Sequence, residues 1–145
     1  MYRHTQTGYV ILAVVGATAV ALVLGVWQGY LPVFTLFLAG AFVIVLVLFG
    51  SLTVEVDHEA VTLRFGPGPV RRRFPLTEVT GVRVVRNRWW YGWGIHSVGG
   101  GWLYNVSGLE AVELRHSDGR ADRIGTDEPE VLCRAIQSAR GLPAN

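Results

Sequence analysis

Between Arg3 and Glu55 the chain contains no Asp, Glu, Lys or Arg, and no other feature constrains its fold as strongly. A stretch of that length without formal charge cannot supply the surface of an ordinary globular protein, in which about a quarter of the residues are charged. Charged residues make up only 17% of the 145 positions, and the deficit lies at this end. Disorder is excluded as well, because disordered segments are polar and charged rather than rich in Val, Leu and Ala.

Two apolar runs fill the stretch, Tyr9 to Trp27 and Leu31 to Leu52, joined by Gln28-Gly29-Tyr30-Leu31-Pro32. About 20 helical residues cross a ~30 Å hydrocarbon core, so each run has the length of a span. Gly29 suits a helix end and Pro32 the first turn of the next helix. Tyr9, Trp27 and Tyr30 lie at run ends, where amphipathic rings favour the headgroup level. These signals predict a transmembrane α-helical hairpin over residues 9–52. Arg3 precedes it, Arg64, Arg71, Arg72 and Arg73 follow it, and the connector is uncharged. Positive charge stays inside, so the expectation is a multi-pass protein of the cell (inner or plasma) membrane with both termini cytoplasmic and the lipid bilayer as its first partner.

Ala17-Thr18-Ala19 resembles a signal-peptide cleavage site, but the apolar run continues well past it and a second follows, which argues against cleavage. Ala13, Ala17, Ala21 and Gly25 recur at every fourth position and form a candidate helix-packing stripe. It would serve either packing within the hairpin or a homo-oligomer. No Asp, Glu, Lys, Arg or His interrupts either run, so transport is not expected.

From Thr53 onward the pattern changes to alternation. Val54 and Val56 alternate with Glu55 and Asp57, and Val61, Leu63 and Phe65 with Thr62 and Arg64, the period of half-buried strands. Further strands are predicted at Val70–Leu76, Gly81–Arg86, Leu103–Ser107, Leu109–His116 and Arg120–Gly125, about seven in all. Gly66-Pro67-Gly68-Pro69 and Ser117-Asp118-Gly119 mark turns. Thr126-Asp127-Glu128-Pro129-Glu130 reads as a helix start, with capping side chains, early acids and Pro in the first turn. Val131, Leu132, Ala135, Ile136 and Ala139 give that helix one apolar stripe, and Gly141 with Pro143 ends it. The organisation expected is a short cytoplasmic N-terminus (1–8), the hairpin (9–52) and one cytoplasmic domain (53–145).

This order resembles the bacterial PH-like membrane proteins, a mostly uncharacterised family. The residues that carry the resemblance are the strand pair Thr53–Phe65, the segment Phe74-Pro75-Leu76-Thr77-Glu78-Val79-Thr80-Gly81-Val82, and Asp118-Gly119-Arg120 before Ile124-Gly125-Thr126-Asp127-Glu128-Pro129. The resemblance implies an α+β PH-like domain in which antiparallel strands form a partial barrel capped by the C-terminal helix. It implies binding rather than catalysis. Asp57-His58-Glu59 stands where PH domains that bind inositol lipids are basic, which speaks against that ligand.

The most unusual segment is Arg88-Trp89-Trp90-Tyr91-Gly92-Trp93. With Trp102 and Tyr104 it places six aromatic residues in sixteen positions, just after Arg83 and Arg86. Two readings are open: the rings fill the core and its lid, or Trp89, Trp90, Tyr91 and Trp93, with Arg86 and Arg88, contact a protein partner or lipid. Arg71, Arg72 and Arg73 are further candidates for anionic lipid, or else a solvated strand edge.

No catalytic constellation is visible. Gly92-Trp93-Gly94 and Gly99-Gly100-Gly101 lack both dinucleotide spacing and a P-loop Lys. His96 and Ser97 adjoin without an acid to orient the His. Cys133 has no second cysteine, and no Cys/His spacing suggests zinc. Twelve Arg against eleven acids after Leu52 leave no basic field for nucleic acid. The expectation is a non-enzymatic, membrane-anchored PH-like binding or scaffold module without metal or cofactor, partnered by another membrane or cytoplasmic protein. The alternative is an accessory subunit of a membrane complex, assembled through its transmembrane helices.

Overall fold

The computed structural model describes residues 1–141, so Pro143 lies outside the described residues. Strand β1 (Tyr2–Thr7) leads into helix α1 (Tyr9–Trp27), followed by α2 (Thr35–Phe49). Three strands come next: β2 (Ser51–Val56), β3 (Ala60–Phe65) and β4 (Val70–Pro75). After a 3-10 turn the chain forms β5 (Val79–Arg86), β6 (Gly94–Val98), β7 (Gly101–Asn105), β8 (Glu110–His116) and β9 (Ala121–Gly125). Helix α3 (Pro129–Arg140) closes the described chain.

The strands build two open sheets, ordered β1-β2-β3-β4 and β5-β8-β9-β7-β6. The first is antiparallel throughout, and β2 and β3 share a short turn in which the Asp57 carboxylate accepts the Glu59 and Ala60 N–H groups. The second is mixed, because β7 runs parallel to β9. Alternating residues of both sheets meet in one core that includes Val54, Leu63, Phe65, Val112, Leu114 and Ile124. Helix α3 lies against β2, β5 and β8 and adds Leu132 and Ile136 to that core. Thr126 Oγ1 accepts the Glu128 N–H ahead of α3, and Gly141 ends the helix in the left-handed region at φ 70°.

Gly101, at the start of β7, lies directly against the Ala121 backbone at the start of β9. A methyl group there would run into the Ala121 carbonyl, which is backbone and cannot step aside. Gly101→Ala should therefore cost about 1–3 kcal/mol, the usual range for forced overpacking. Urea unfolding midpoints read it, and an unchanged midpoint would show that the two strands have slack.

The two-span hairpin is not what the apolar stretch forms. Among the described residues helix α1 alone, with 19 residues and a mean hydropathy of 2.5, is long and apolar enough to cross a membrane. Helix α2 has 15 residues, about 22 Å at 1.5 Å per residue, short of a ~30 Å core. The run is trimmed at both ends. Residues 32–37 wind with i→i−3 hydrogen bonds (Thr35 N–H to Pro32, Leu36 N–H to Val33, Phe37 N–H to Phe34), a tight turn that leads into the first residues of α2. At the other end Gly50 turns the chain into β2, and its carbonyl accepts the Gly8 N–H at 2.8 Å. A lipid bilayer as partner, a multi-pass membrane address with both termini cytoplasmic, the membrane-anchored module and the accessory subunit assembled through two spans all rested on that second span. They fall with it, and the arginine asymmetry has no pair of spans to orient.

The partial barrel is corrected too. No strand pairing joins β4 to β5, so among the described residues each sheet keeps two free edges: β1 and β4 in the first, β5 and β6 in the second. Nine strands are present among the described residues, two more than the alternation suggests. One addition is β1, which pairs along β2 from Tyr2↔Val56 to Thr7↔Ser51 and carries the Arg3–Glu55 ion pair at 3.2 Å. His4 Nε2 lies 2.7 Å from Asp127, so β1 also ties the start of the chain to the approach of α3. The other addition is β6. The PH-like architecture inferred from the resemblance is replaced by an α+β fold of two open sheets, one of them mixed.

Candidate aromatic docking ridge

The aromatic segment lies between two strands of the second sheet. Its base is fixed by Asn87, only 4% exposed, whose N–H donates to the Leu109 carbonyl at 2.7 Å. Arg123 donates to the Asn87 side-chain oxygen at 3.3 Å. Beyond this anchor Trp89–Tyr91 wind into a single 3-10 turn, and Gly92 (φ 72°) and Gly94 (φ 108°) redirect the chain into β6. Positive φ at both positions is a conformation that glycine adopts without a steric penalty. His96 reaches back from β6 to the Trp93 carbonyl and holds the turn closed.

The rings stand outside the core. Trp89 is 72% exposed and Trp90 57%, and Trp93 and Trp102 are also exposed. Trp89 and Trp90 meet edge to face, with centroids 5.9 Å apart and planes at 88°, and Tyr91 continues the chain at 6.3 Å from Trp90. The Arg88 guanidinium lies 5.0 Å from the centre of the Trp90 ring, within cation–π range. Of the two readings of this segment, a core filling is thereby removed. Tyr104 alone among the six faces inward, 2% exposed against Phe74 and Phe65.

The remaining sequence candidates are dispersed. Arg86 sits beside the ridge and pairs with Glu110 at 3.5 Å. Arg71, Arg72 and Arg73 lie on β4, in the other sheet, and Arg73 pairs with Glu59 at 2.8 Å. Ala13, Ala17 and Ala21 are exposed along α1, whereas Ala19 is buried, and Gly25 gives room to the Leu31 side chain. Asn105 is buried and spends its side chain on Ser107 and Gly108. Cys133 is buried in α3, and burial, aided by the Glu130 charge, pushes its thiol up. Among the described residues no group of three His, Cys, Asp or Glu side chains is placed to hold a metal ion.

Two clusters carry chemistry that the sequence does not announce. On the outer face of the second sheet Glu113, 3% exposed, accepts from Arg83 at 2.8 Å and from Arg123 at 3.1 Å, with Arg115 at 3.4 Å. Burial alone would raise the Glu113 carboxyl, but the hydrogen bonds and charges of Arg83 and Arg123 outweigh it and hold it below the usual value. On the inner face His116 and Asp122 lie 3.1 Å apart, both almost fully buried. The alternation Val112, Leu114, His116 carries a signal for the second cluster, since it places the imidazole on the apolar face.

Comparison with known families, with curated proteins and with solved structures yields no match for this chain. The resemblance to the PH-like membrane proteins is therefore without support from similarity as well as from architecture. What the ridge does is a question for its own geometry.

Proposed function

We propose that this chain is a non-catalytic docking domain that captures an extended acidic segment of another polypeptide on the ridge Arg88–Trp93. The observation that carries this is the exposed, edge-to-face Trp89–Trp90 pair with Arg88 against it, immediately before a strand with a free edge. Trp and Arg are the side chains that dominate binding energy at interfaces. A contiguous exposed aromatic patch is uncommon on a chain with no partner for it. Strand β6 pairs only with β7, so its outer backbone groups can accept an added strand while Trp93 and Trp102 flank it. Arg88, within the ridge, favours acidic side chains on the incoming segment.

The test is photo-crosslinking in cells with Trp90→p-benzoylphenylalanine, followed by titration of the crosslinked segment as a synthetic peptide. We expect one acidic, extended segment, and Trp90→Ala should weaken its binding by about thirtyfold, the ~2 kcal/mol of an aromatic hot spot. Because Trp90 is more than half exposed, the variant should keep its circular dichroism and melting point. Adducts confined to the chain itself, or undiminished binding by Trp90→Ala, would reject the proposal.

A further inference from the structure

Where β4 of the first sheet faces β7–β9 of the second, a cleft of about 190 Å³ opens between the sheets. Three guanidinium groups, Arg72, Arg73 and Arg120, line it together with the carboxylates of Glu78 and Asp122, so the arginines exceed the acids by one charge. The three arginines are not equivalent. Arg73 is held by Glu59 at 2.8 Å and Arg120 by Asp118 at 2.6 Å. Arg72 has no ion-pair partner among the described residues, and it lines the cleft beside Tyr104.

At the back of the cleft stands His116, 5% exposed. Neither ring nitrogen makes a hydrogen bond among the described residues, although Nε2 lies 3.1 Å from Asp122 Oδ2. The other Asp122 oxygen accepts the Trp102 N–H at 2.7 Å, so this carboxylate is fixed from the side of β7. A buried polar group left without a partner costs about 1–3 kcal/mol, and a ligand atom that satisfies it recovers that cost. An uncommitted guanidinium, a phenol and an unsatisfied imidazole thus converge on one space, with Trp102 and Phe74 as apolar walls.

The charge decides the ligand class. A phosphate monoester carries close to two negative charges at neutral pH, and Glu78 and Asp122 oppose it. A carboxylate carries one and matches the planar fork of a guanidinium. We propose that this cleft binds a small organic monocarboxylate, clamped by Arg72 and the Tyr104 hydroxyl, completed by His116, and lying with its apolar body along Trp102. The site shares Trp102 with the docking surface but uses none of the ridge residues Arg88–Trp93. Its volume corresponds to about six waters at ~30 Å³ each, room for a compact aromatic acid.

Benzoate, benzamide and inorganic phosphate are the probes, applied to the full chain with isothermal titration and with the labelled His116 ring followed by NMR. We expect saturable benzoate binding that shifts the His116 ring resonances, with benzamide and phosphate each at least tenfold weaker. Arg72→Gln should weaken benzoate by tenfold or more and leave the melting point unchanged, because Arg72 is exposed and unpaired. No saturable benzoate binding, binding that does not move His116, or binding undiminished in Arg72→Gln would overturn the site. Phosphate binding tighter than benzoate would overturn the monocarboxylate assignment.

Discussion

Replacing both Arg83 and Arg123 with Ala is expected to cost about 3–5 kcal/mol at neutral pH, the range for stripping a buried charge of its partners. The asymmetry within the cluster sets this magnitude. Glu113 is buried, 3% exposed, whereas the side chains of Arg83 and Arg115 are more than half exposed. When a guanidinium loses its acid it can turn to water. When the carboxylate loses its guanidinium groups it cannot, and Arg115 alone remains at 3.4 Å. Glu113→Gln should therefore cost less, about 1–2 kcal/mol for the charge-assisted hydrogen bonds it gives up. Adding Glu113→Gln to the double variant should restore most of the loss.

The pH dependence follows from the sign of the shift. In the native protein the Glu113 pKa lies below its ordinary value, so the cluster stabilises the fold above the unfolded-state pKa. That contribution fades as pH falls through the lower folded-state value. In the double variant only Arg115 opposes burial, which raises the pKa, so acid relieves the penalty instead of creating one. The gap between native and double-variant stability should narrow as pH falls from the variant's raised Glu113 pKa through the native protein's lowered one, read by urea unfolding at a series of pH values. A gap independent of pH would show that the loss comes from packing and not from the buried charge.

How much of this arrangement could be read in the sequence depends on whether the signal was local. Strand β3 was legible because Val61, Leu63 and Phe65 alternate with polar residues and all three face the core. Helix α3 was legible because Thr126, Pro129 and the stripe through Leu132 and Ile136 mark its start and buried face. Strand β1 was not, because its partner β2 is adjacent only after α1 and α2 have brought the chain back across some 45 positions. Strand β6 was missed because Gly94-Ile95-His96-Ser97-Val98 has little β-branched alternation and pairs on one side only. The length of α2 was misjudged because hydropathy does not register the i→i−3 turns after Pro32 or the hydrogen bond between Gly8 and Gly50.

The same distinction holds for the sites. Trp89, Trp90 and Trp93 were conspicuous in composition, but composition does not say which way a ring faces; the glycine-bounded turn that projects them does. The Glu113 cluster needed register, with Arg83↔Glu113 on one side and Glu113↔Arg123 on the other. Only the second of these is fixed by a nearby turn, at Ser117-Asp118-Gly119. The cleft at His116 needed more, since Arg72 and Tyr104 come from different sheets.

Phe65→Ala should be as damaging as the loss of Arg83 and Arg123, by a different mechanism. Phe65 is 1% exposed at the end of β3, opposite Leu52 of β2. Its ring meets Phe49, the last residue of α2, edge to face at 5.6 Å and approaches Tyr104 of β7 at 6.5 Å. One side chain thus joins the base of the helical pair, the first sheet and the second sheet. Truncation removes the apolar transfer free energy and leaves a cavity, together about 3–5 kcal/mol for Phe→Ala. The upper part of that range is expected, because Leu52 and Tyr104 are held by pairing in separate sheets and cannot both collapse into the space. Phe65→Leu keeps most of the volume and should cost less than about 1.5 kcal/mol. Hydrogen exchange provides the more specific reading: amides in the last turn of α2 should lose protection in Phe65→Ala beyond the global change, because Phe49 loses its principal contact. A loss below about 1 kcal/mol, or exchange in α2 that merely follows global stability, would mean that the helical pair and the sheets are held together elsewhere.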